Sequence, residues 1–277
     1  MIKYTFLLPA FKPDFFEEAL RSIKDQTYSD FKVLVSDDCS PHDLKSIYNK
    51  VCGDDARFSF RRNEVNMGSK SLVSHWNLLV DMCDTEYLIL ASDDDVYEPT
   101  FLEEVDKLAQ KYPEVDLIRA RVKRFDGKQI LEEDSVRKEY ESQIEFLFNS
   151  CSVVQIPCIG NYVFRKKALF KNGFYELPLA WGSDEITTNE ASINGVAITE
   201  RIEFSFRWSG INISTLENDS TLRQKLEARK KMCLYYRNFF AAISSDGSYW
   251  QNKMLTYATN DFIQKTYNSI FHYFQVL

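Results

Sequence analysis

The apolar run Tyr87-Leu88-Ile89-Leu90-Ala91 stops at Ser92 and passes directly into three carboxylates, Asp93, Asp94 and Asp95. A short continuous apolar run of this kind reads as a buried strand, and Pro99 shortly after it marks the start of a helix. Three acids at the end of a buried strand repel one another and lose hydration. That is costly unless a positive charge joins them. A divalent cation holding a phosphorylated ligand would supply the charge; a solvated acidic turn is the alternative reading.

The sequence before this run repeats one theme, an apolar strand followed by a helical pattern, which argues for parallel α/β units. Strands are expected at 4–8, 31–36, 58–60 and 87–91, and helices at 43–51, 69–83 and 100–112. A further helix is expected after residue 14, capped by Asp14 with Glu17 completing a capping box, and with Phe15, Ala19 and Ile23 on its apolar face. Beyond residue 112 the character changes. Segments 115–125 and 129–131 flank Asp126-Gly127, a hairpin signal. Strands follow at 159–164 and 203–208, with a helix at 184–193 between them. Arg119, Arg121, Lys123 and Arg124 read as a solvated or edge-protecting strand face. Two helical stretches, 221–243 and 249–274, close the chain. The pattern predicts one α/β domain over residues 1–215 and a helical appendage over 216–277.

A net charge of −7 lacks the basic field that a general nucleic-acid binder needs. The six cysteines (Cys39, Cys52, Cys83, Cys151, Cys158 and Cys233) form no CxxC pair and no Cys/His cluster, so they read as reduced core residues rather than zinc ligands. Met1-Ile2-Lys3-Tyr4 leads straight into a strand, and no run of about twenty apolar residues follows, so a cytoplasmic protein is expected. In the C-terminal helices, Arg223, Lys225, Arg229, Lys230, Lys231 and Arg237 interleave with Leu226, Met232, Tyr235, Tyr236, Phe239 and Phe240. Such a helix either lies peripherally on an anionic membrane or packs its aromatic face onto the domain. The later stripe Phe262, Ile263, Ile270, Phe271, Tyr273 and Phe274 suits a homodimer contact or a membrane-bound acceptor.

In an open α/β sheet, ligands collect at the carboxyl ends of the parallel strands. Pro9-Ala10-Phe11, Asp37-Asp38 and Asp93-Asp94-Asp95 all fall there. Asp38 could accept from a base N–H or a ribose hydroxyl, or, with Ser40-Pro41 following, serve a turn. Asp184-Glu185 follows Trp181-Gly182-Ser183 at a helix start, where a carboxylate is either a cap or a general base. Asn66, Gly68 and Lys70 could line the same ligand site, while His75 reads as structural.

Taken in order, these pieces resemble family 2 glycosyltransferases of bacteria. The resemblance is carried by Leu7-Leu8-Pro9-Ala10-Phe11, Leu20-Arg21-Ser22-Ile23, Gln26-Thr27 and Val35-Ser36-Asp37-Asp38-Cys39-Ser40. It continues through Asn66-Met67-Gly68, Asn77, Ser92-Asp93-Asp94-Asp95, Trp181-Gly182-Ser183-Asp184 and Phe206-Arg207-Trp208-Ser209, and covers about residues 3–215. It implies a GT-A-type (Rossmann-like) mixed, mainly parallel sheet flanked by helices, and a hexosyltransferase using a nucleotide-sugar donor, UDP-sugar first. By resemblance, Asp38 contacts the nucleobase, Asp93 the ribose, and Asp94, supported by Asp95, a Mn²⁺ or Mg²⁺ ion. Asp184, with Glu185 as rival, is the base of inverting transfer, and Arg207 steadies the diphosphate. The implied acceptor is a saccharide or lipid-linked saccharide in surface polysaccharide or lipopolysaccharide assembly. Lys12 stands where the family commonly has Asn, Cys39 where Gly is common, and Ser92 at the first position of the usual Asp-x-Asp. The Gln-x-x-Arg-Trp motif of processive synthases is absent, which implies transfer of one sugar at a time. Two other classes compete: a non-catalytic nucleotide-, metal- or sugar-binding module, and a sugar nucleotidyltransferase. The latter would carry a Gly-rich basic loop unlike Pro9-Ala10-Phe11-Lys12-Pro13.

Overall fold

The computed structural model describes residues 2–152, 155–169, 173–211, 213, 218–243 and 247–276. Four parallel strands form its first half: β1 (Tyr4–Ala10), β2 (Phe31–Asp37), β3 (Phe58–Arg62) and β4 (Tyr87–Leu90), in the order β3-β2-β1-β4. Helices α1 (Phe16–Lys24), α2 (Leu44–Cys52) and α3 (Leu72–Met82) connect them. The two-residue period of β1 explains why helices cover both faces. Tyr4, Phe6 and Leu8 enter one apolar cluster with α1 and α2, whereas Leu7 enters the other with Val73, Trp76 and Leu79 of α3.

The second half brings β5 (Val96–Tyr97), α4 (Phe101–Lys111), β6 (Leu117–Phe125), β7 (Ile130–Glu133), β8 (Tyr140–Glu141) and α5 (Gln143–Ser152). Next come β9 (Tyr162–Arg165), α6 (Lys166–Leu169), α7 (Ser183–Ala191), β10 (Val196–Arg207), α8 (Asp219–Ala242) and α9 (Tyr249–Val276). The sheet continues from β4 as β9-β6-β10-β5, with β9 antiparallel to both of its neighbours and β10 parallel to β6. Strands β6 and β7 form the expected antiparallel hairpin around Asp126-Gly127.

Three expectations are corrected. Asp14 does not cap α1: the chain turns through a bond from the Phe16 amide to the Pro13 carbonyl, and Phe15 occupies the cap with no side-chain bond. Glu17 accepts instead from Arg21 and Lys50. Nor is the basic strand an edge. β6 lies between β9 and β10, and Arg119 is fully buried, 2.6 Å from Asp134 and over the Tyr162 ring. Asp134 also accepts from the Val122 and Ile156 amides, so the internal charge is answered on several sides. Finally, the last strand begins at Val196, not at residue 203. Its register shifts between Ile198 and Ile202, where the Thr199 hydroxyl accepts from the Arg121 amide, and this break disguises one long strand as a short one.

The aromatic face of α8 packs inward. Met232, Tyr236 and Phe240 share a cluster with Leu147 of α5, Ile186 of α7, and Ala258 and Phe262 of α9. On the outer side of α9, Tyr249, Trp250, Tyr257, Tyr267 and Phe271 are exposed. Among the described residues no helix is long and apolar enough to cross a membrane. The expected boundary at 215/216 lies outside the described residues.

The pair Arg119–Asp134 sets a stability test. Arg119→Met leaves a buried carboxylate without its cation and should cost about 3–5 kcal/mol in urea unfolding. A loss within experimental error would show that the amide bonds alone satisfy Asp134.

Candidate active site

The carboxyl ends of β2, β1 and β4 lie side by side, with β1 in the middle. Acids after β2 and β4 therefore flank the segment leaving β1 rather than each other. The amides of Phe11 and Lys12 both donate to Asp93 Oδ2, at 2.8 and 2.7 Å. The Lys12 ammonium reaches Asp94 Oδ2 at 3.0 Å and lies 3.7 Å from Asp93 Oδ1. Asp95 turns the other way: Oδ2 accepts from Ser92 at 2.5 Å and Oδ1 from the Arg207 amide at 2.8 Å. Burial raises the pKa of Asp93 above the ordinary carboxylate range, against the pull of Lys12. Burial, then the neighbouring Asp94, pushes Asp95 up to about 7.

Arg207, which the resemblance places at the diphosphate, is bonded to the acidic turn. Its Nε donates to the Asp94 carbonyl at 2.8 Å, Nη2 meets Glu18 at 2.5 Å, and the guanidinium lies between the Phe15 and Phe125 rings. It braces the acidic turn from behind.

Asp38 anchors the loop beyond β3. Oδ1 accepts from Asn63 Nδ2 at 2.8 Å and the Met67 amide at 2.9 Å, and Oδ2 from the Gly68 amide at 2.7 Å. Gly68 suits this approach, because a Cβ there would sit 3.0 Å from Asp38 Oδ2. Asn66 Oδ1 accepts from the Ser69 amide, whereas Lys70 is exposed. Pro9 lies within β1 opposite Ser36, and Phe11 is 38% exposed beside the acidic turn. Asp37 pairs with Arg62 and accepts from the Ser40 amide. Buried His75 bonds Ser36 Oγ at 2.9 Å. Between Asp38 and Ser40, Cys39 adopts φ 55°, the left-handed region in which a side chain is strained.

The other candidates stand at the start of α7. Gly182 holds φ 87° at its cap, and a Cβ there would lie 2.4 Å from Met232 Sδ, so glycine lets α8 close against this turn. Glu185 is engaged by α8: Oε1 accepts from the Tyr236 hydroxyl at 2.6 Å, and Oε2 lies 3.9 Å from Arg229. Asp184 is pushed up to about 6, first by burial and then by Glu185, while nearby amides pull the other way. The Cys158 thiol is buried and sits 3.5 Å from Asn161 Oδ1. After burial itself, Asp95 and, more weakly, Asp184 are among the charges that raise its pKa.

Lys12 and Tyr236 were not among the expected site residues. Lys12 had a signal in its departure from Asn, but its contact depends on the adjacency of β1 and β4. Tyr236 lies 51 positions from Glu185 and had none. No group of three or more His, Cys, Asp or Glu among the described residues is arranged to hold a metal on its own. The residues fit a cation held by few protein oxygens and completed by an outside ligand. Asp94 already receives a cationic group, whereas both Asp95 oxygens have partners in the scaffold.

Residues 6–172 match the family model described as glycosyl transferase family 2. The structure resembles that of S. aureus TarS 1–349 in complex with UDP-GlcNAc, with TM-score 0.70 and 16% identity over 98% of this chain and 73% of that one. It also resembles the mannosyltransferase PcManGT from Pyrobaculum calidifontis in complex with GDP-Man and Mn²⁺, with TM-score 0.57 and 12% identity over 96% of this chain and 73% of that one. These likenesses establish a GT-A-type fold.

Relaxing the strained turn gives a direct check on the site's backbone. Cys39→Gly should stabilise the protein by about 1 kcal/mol, the scale of the left-handed penalty, read as a higher urea midpoint. An unchanged or lower midpoint would mean that the thiol's contact with the Glu64 carbonyl outweighs the strain.

Proposed function

The chain belongs to glycosyl transferase family 2 and is a glycosyltransferase, and from that premise we propose that it moves a sugar from a nucleoside-diphosphate donor, UDP-sugar first, to an acceptor hydroxyl with inversion. The observation that carries this reading is the buried acidic turn after β4, whose Asp94 is paired with a lysine ammonium, together with a carboxyl held up to about 6 at the start of α7. The first suits a diphosphate and its counter-ion, and the second suits a base working near neutrality.

Asp94 is the carboxylate that would hold Mn²⁺ or Mg²⁺, with Asp93 toward the ribose and Asp38 toward the base. A divalent cation there supplies neutralisation of the charge that grows on the leaving diphosphate. Asp95 and Arg207 act from behind, fixing the peptide of Asp94. Asp184 takes the acceptor proton as the acceptor oxygen bonds to the anomeric carbon and the bond to the diphosphate breaks. Glu185 is the weaker choice because Tyr236 and Arg229 already hold it. Phe11, Asn66, Gly68 and Lys70 border the donor end. The PcManGT complex with GDP-Man and Mn²⁺ and the TarS complex with UDP-GlcNAc lend support to a metal-assisted nucleotide-sugar reaction. An acceptor in surface-polysaccharide assembly fits the family resemblance. The exposed aromatic side of α9 supports a peripheral contact near a lipid-linked acceptor, or with a second copy.

Thermal unfolding against a panel of nucleoside diphosphates, with and without Mn²⁺, tests the donor side. One nucleotide should raise Tm in a metal-dependent way, and Asp94→Ala should lose the metal-dependent part. Silence with every nucleotide would sink the donor assignment. On the acceptor side, Asp184→Asn should keep the nucleotide shift and lower kcat by about 10²–10⁴-fold. Because a base must be unprotonated, wild-type kcat should fall as pH drops through about 6. Undiminished turnover in Asp184→Asn would transfer the role to Glu185.

A further inference from the structure

The acidic turn already contains a cation of its own. Lys12 brings its ammonium to 3.0 Å from Asp94 Oδ2 and 3.7 Å from Asp93 Oδ1, while its backbone amide donates to Asp93 Oδ2 at 2.7 Å. The backbone bond fixes the stem at the turn. The side chain, 31% exposed, keeps an outlet toward solvent. Lysine is an adaptable point charge on a flexible stem, so it can leave one anionic partner for another at little geometric cost.

A divalent ion bound at Asp94 would meet this ammonium at contact range. Coulomb repulsion there is far from negligible even in a moderately polar environment. The ion therefore binds well only when the ammonium has somewhere else to go. A diphosphate beside the turn offers that place, since it is anionic and accepts from a lysine as readily as a carboxylate does.

We propose that Lys12 is the resident counter-ion of the acidic turn, and that its displacement onto the incoming diphosphate makes metal binding and nucleotide binding mutually dependent. This rests on the donor-site reading above. Lys12 is a positioning residue: without nucleotide it suppresses metal binding, and with nucleotide it becomes a second cation on the leaving group. The coupling is reciprocal, so the metal improves nucleotide affinity by the same factor by which the nucleotide improves metal affinity.

The test is calorimetric titration of MnCl₂ into wild type, Lys12→Met and Lys12→Arg, each alone and saturated with the nucleoside diphosphate that gives the largest thermal shift. Without nucleotide, Lys12→Met should bind Mn²⁺ about tenfold or more tightly than wild type, because a like charge has been removed at contact distance. Lys12→Arg keeps the charge and should stay as weak as wild type, which separates electrostatics from a general disturbance of the turn. Nucleotide should tighten Mn²⁺ binding strongly in wild type and clearly less in Lys12→Met. Equal Mn²⁺ affinity of wild type and Lys12→Met without nucleotide, with normal metal binding once nucleotide is present, overturns the role of Lys12 alone. If no variant binds Mn²⁺ even with nucleotide, this inference falls together with the metal-dependent reading.

Discussion

The turn at Asp93-Asp94-Asp95 ties together two halves of a sheet that are linked in register by the short antiparallel strand β9. On one side Asp93 takes the amides that leave β1; on the other Asp95 takes the amide that ends β10. Arg207 completes the joint by holding the carbonyl between them. Charge-assisted bonds of this type contribute about 1.5–3 kcal/mol each, which offsets part of the cost of burying acids together. The same bonds fix where the remaining oxygens of Asp94 and Asp93 point. On the proposed function, stability and ligand recognition draw on one set of atoms, and a substitution in the triplet affects both.

The two sides of the site are built from different parts of the chain by different means. The proposed donor side is assembled from strand ends and backbone amides. At Asp38, three donors from the segment beyond β3 meet one carboxylate, and Gly68 allows the close approach. The proposed acceptor side rests on a nine-residue helix, α7, whose position depends on helix packing. There a glycine at the cap and a methionine from α8 fit against each other, and a tyrosine from α8 holds Glu185.

Much of this was legible in the sequence because local rules and global fold agree. The apolar runs of β1, β2 and β4 are largely buried on both faces, so their strand character and their polar ends both stood out. The triplet and Asp38 stood out as acids where apolar strands stop, and Asp184 as an acid at a helix start. What escaped detection depends on contacts between distant segments. Arg119 looked like a surface charge because its partner Asp134 lies across a hairpin. Asp14 looked like a cap, but Pro13 starts the turn one step earlier. The first half of β10 was hidden by its register shift, and β5 and β8, at two residues each, are too short to show a period. Lys12 was visible as an oddity, but its meaning needed the distance to Asp94.

The packing of α8 has a consequence for where this protein ends as a physical object. Met232, Tyr236 and Phe240 lie in the same apolar cluster as Leu147 and Ile186, so the region that reads as a tail supplies one wall of a shared interior. A chain trimmed at residue 215 would carry an oily scar across α5 and α7, and Glu185 would lose its tyrosine. Such a fragment would keep the strand ends that suit a nucleotide while the helix bearing Asp184 lost its backing. Nucleotide retention by a shortened chain is therefore a poor proxy for an intact transferase.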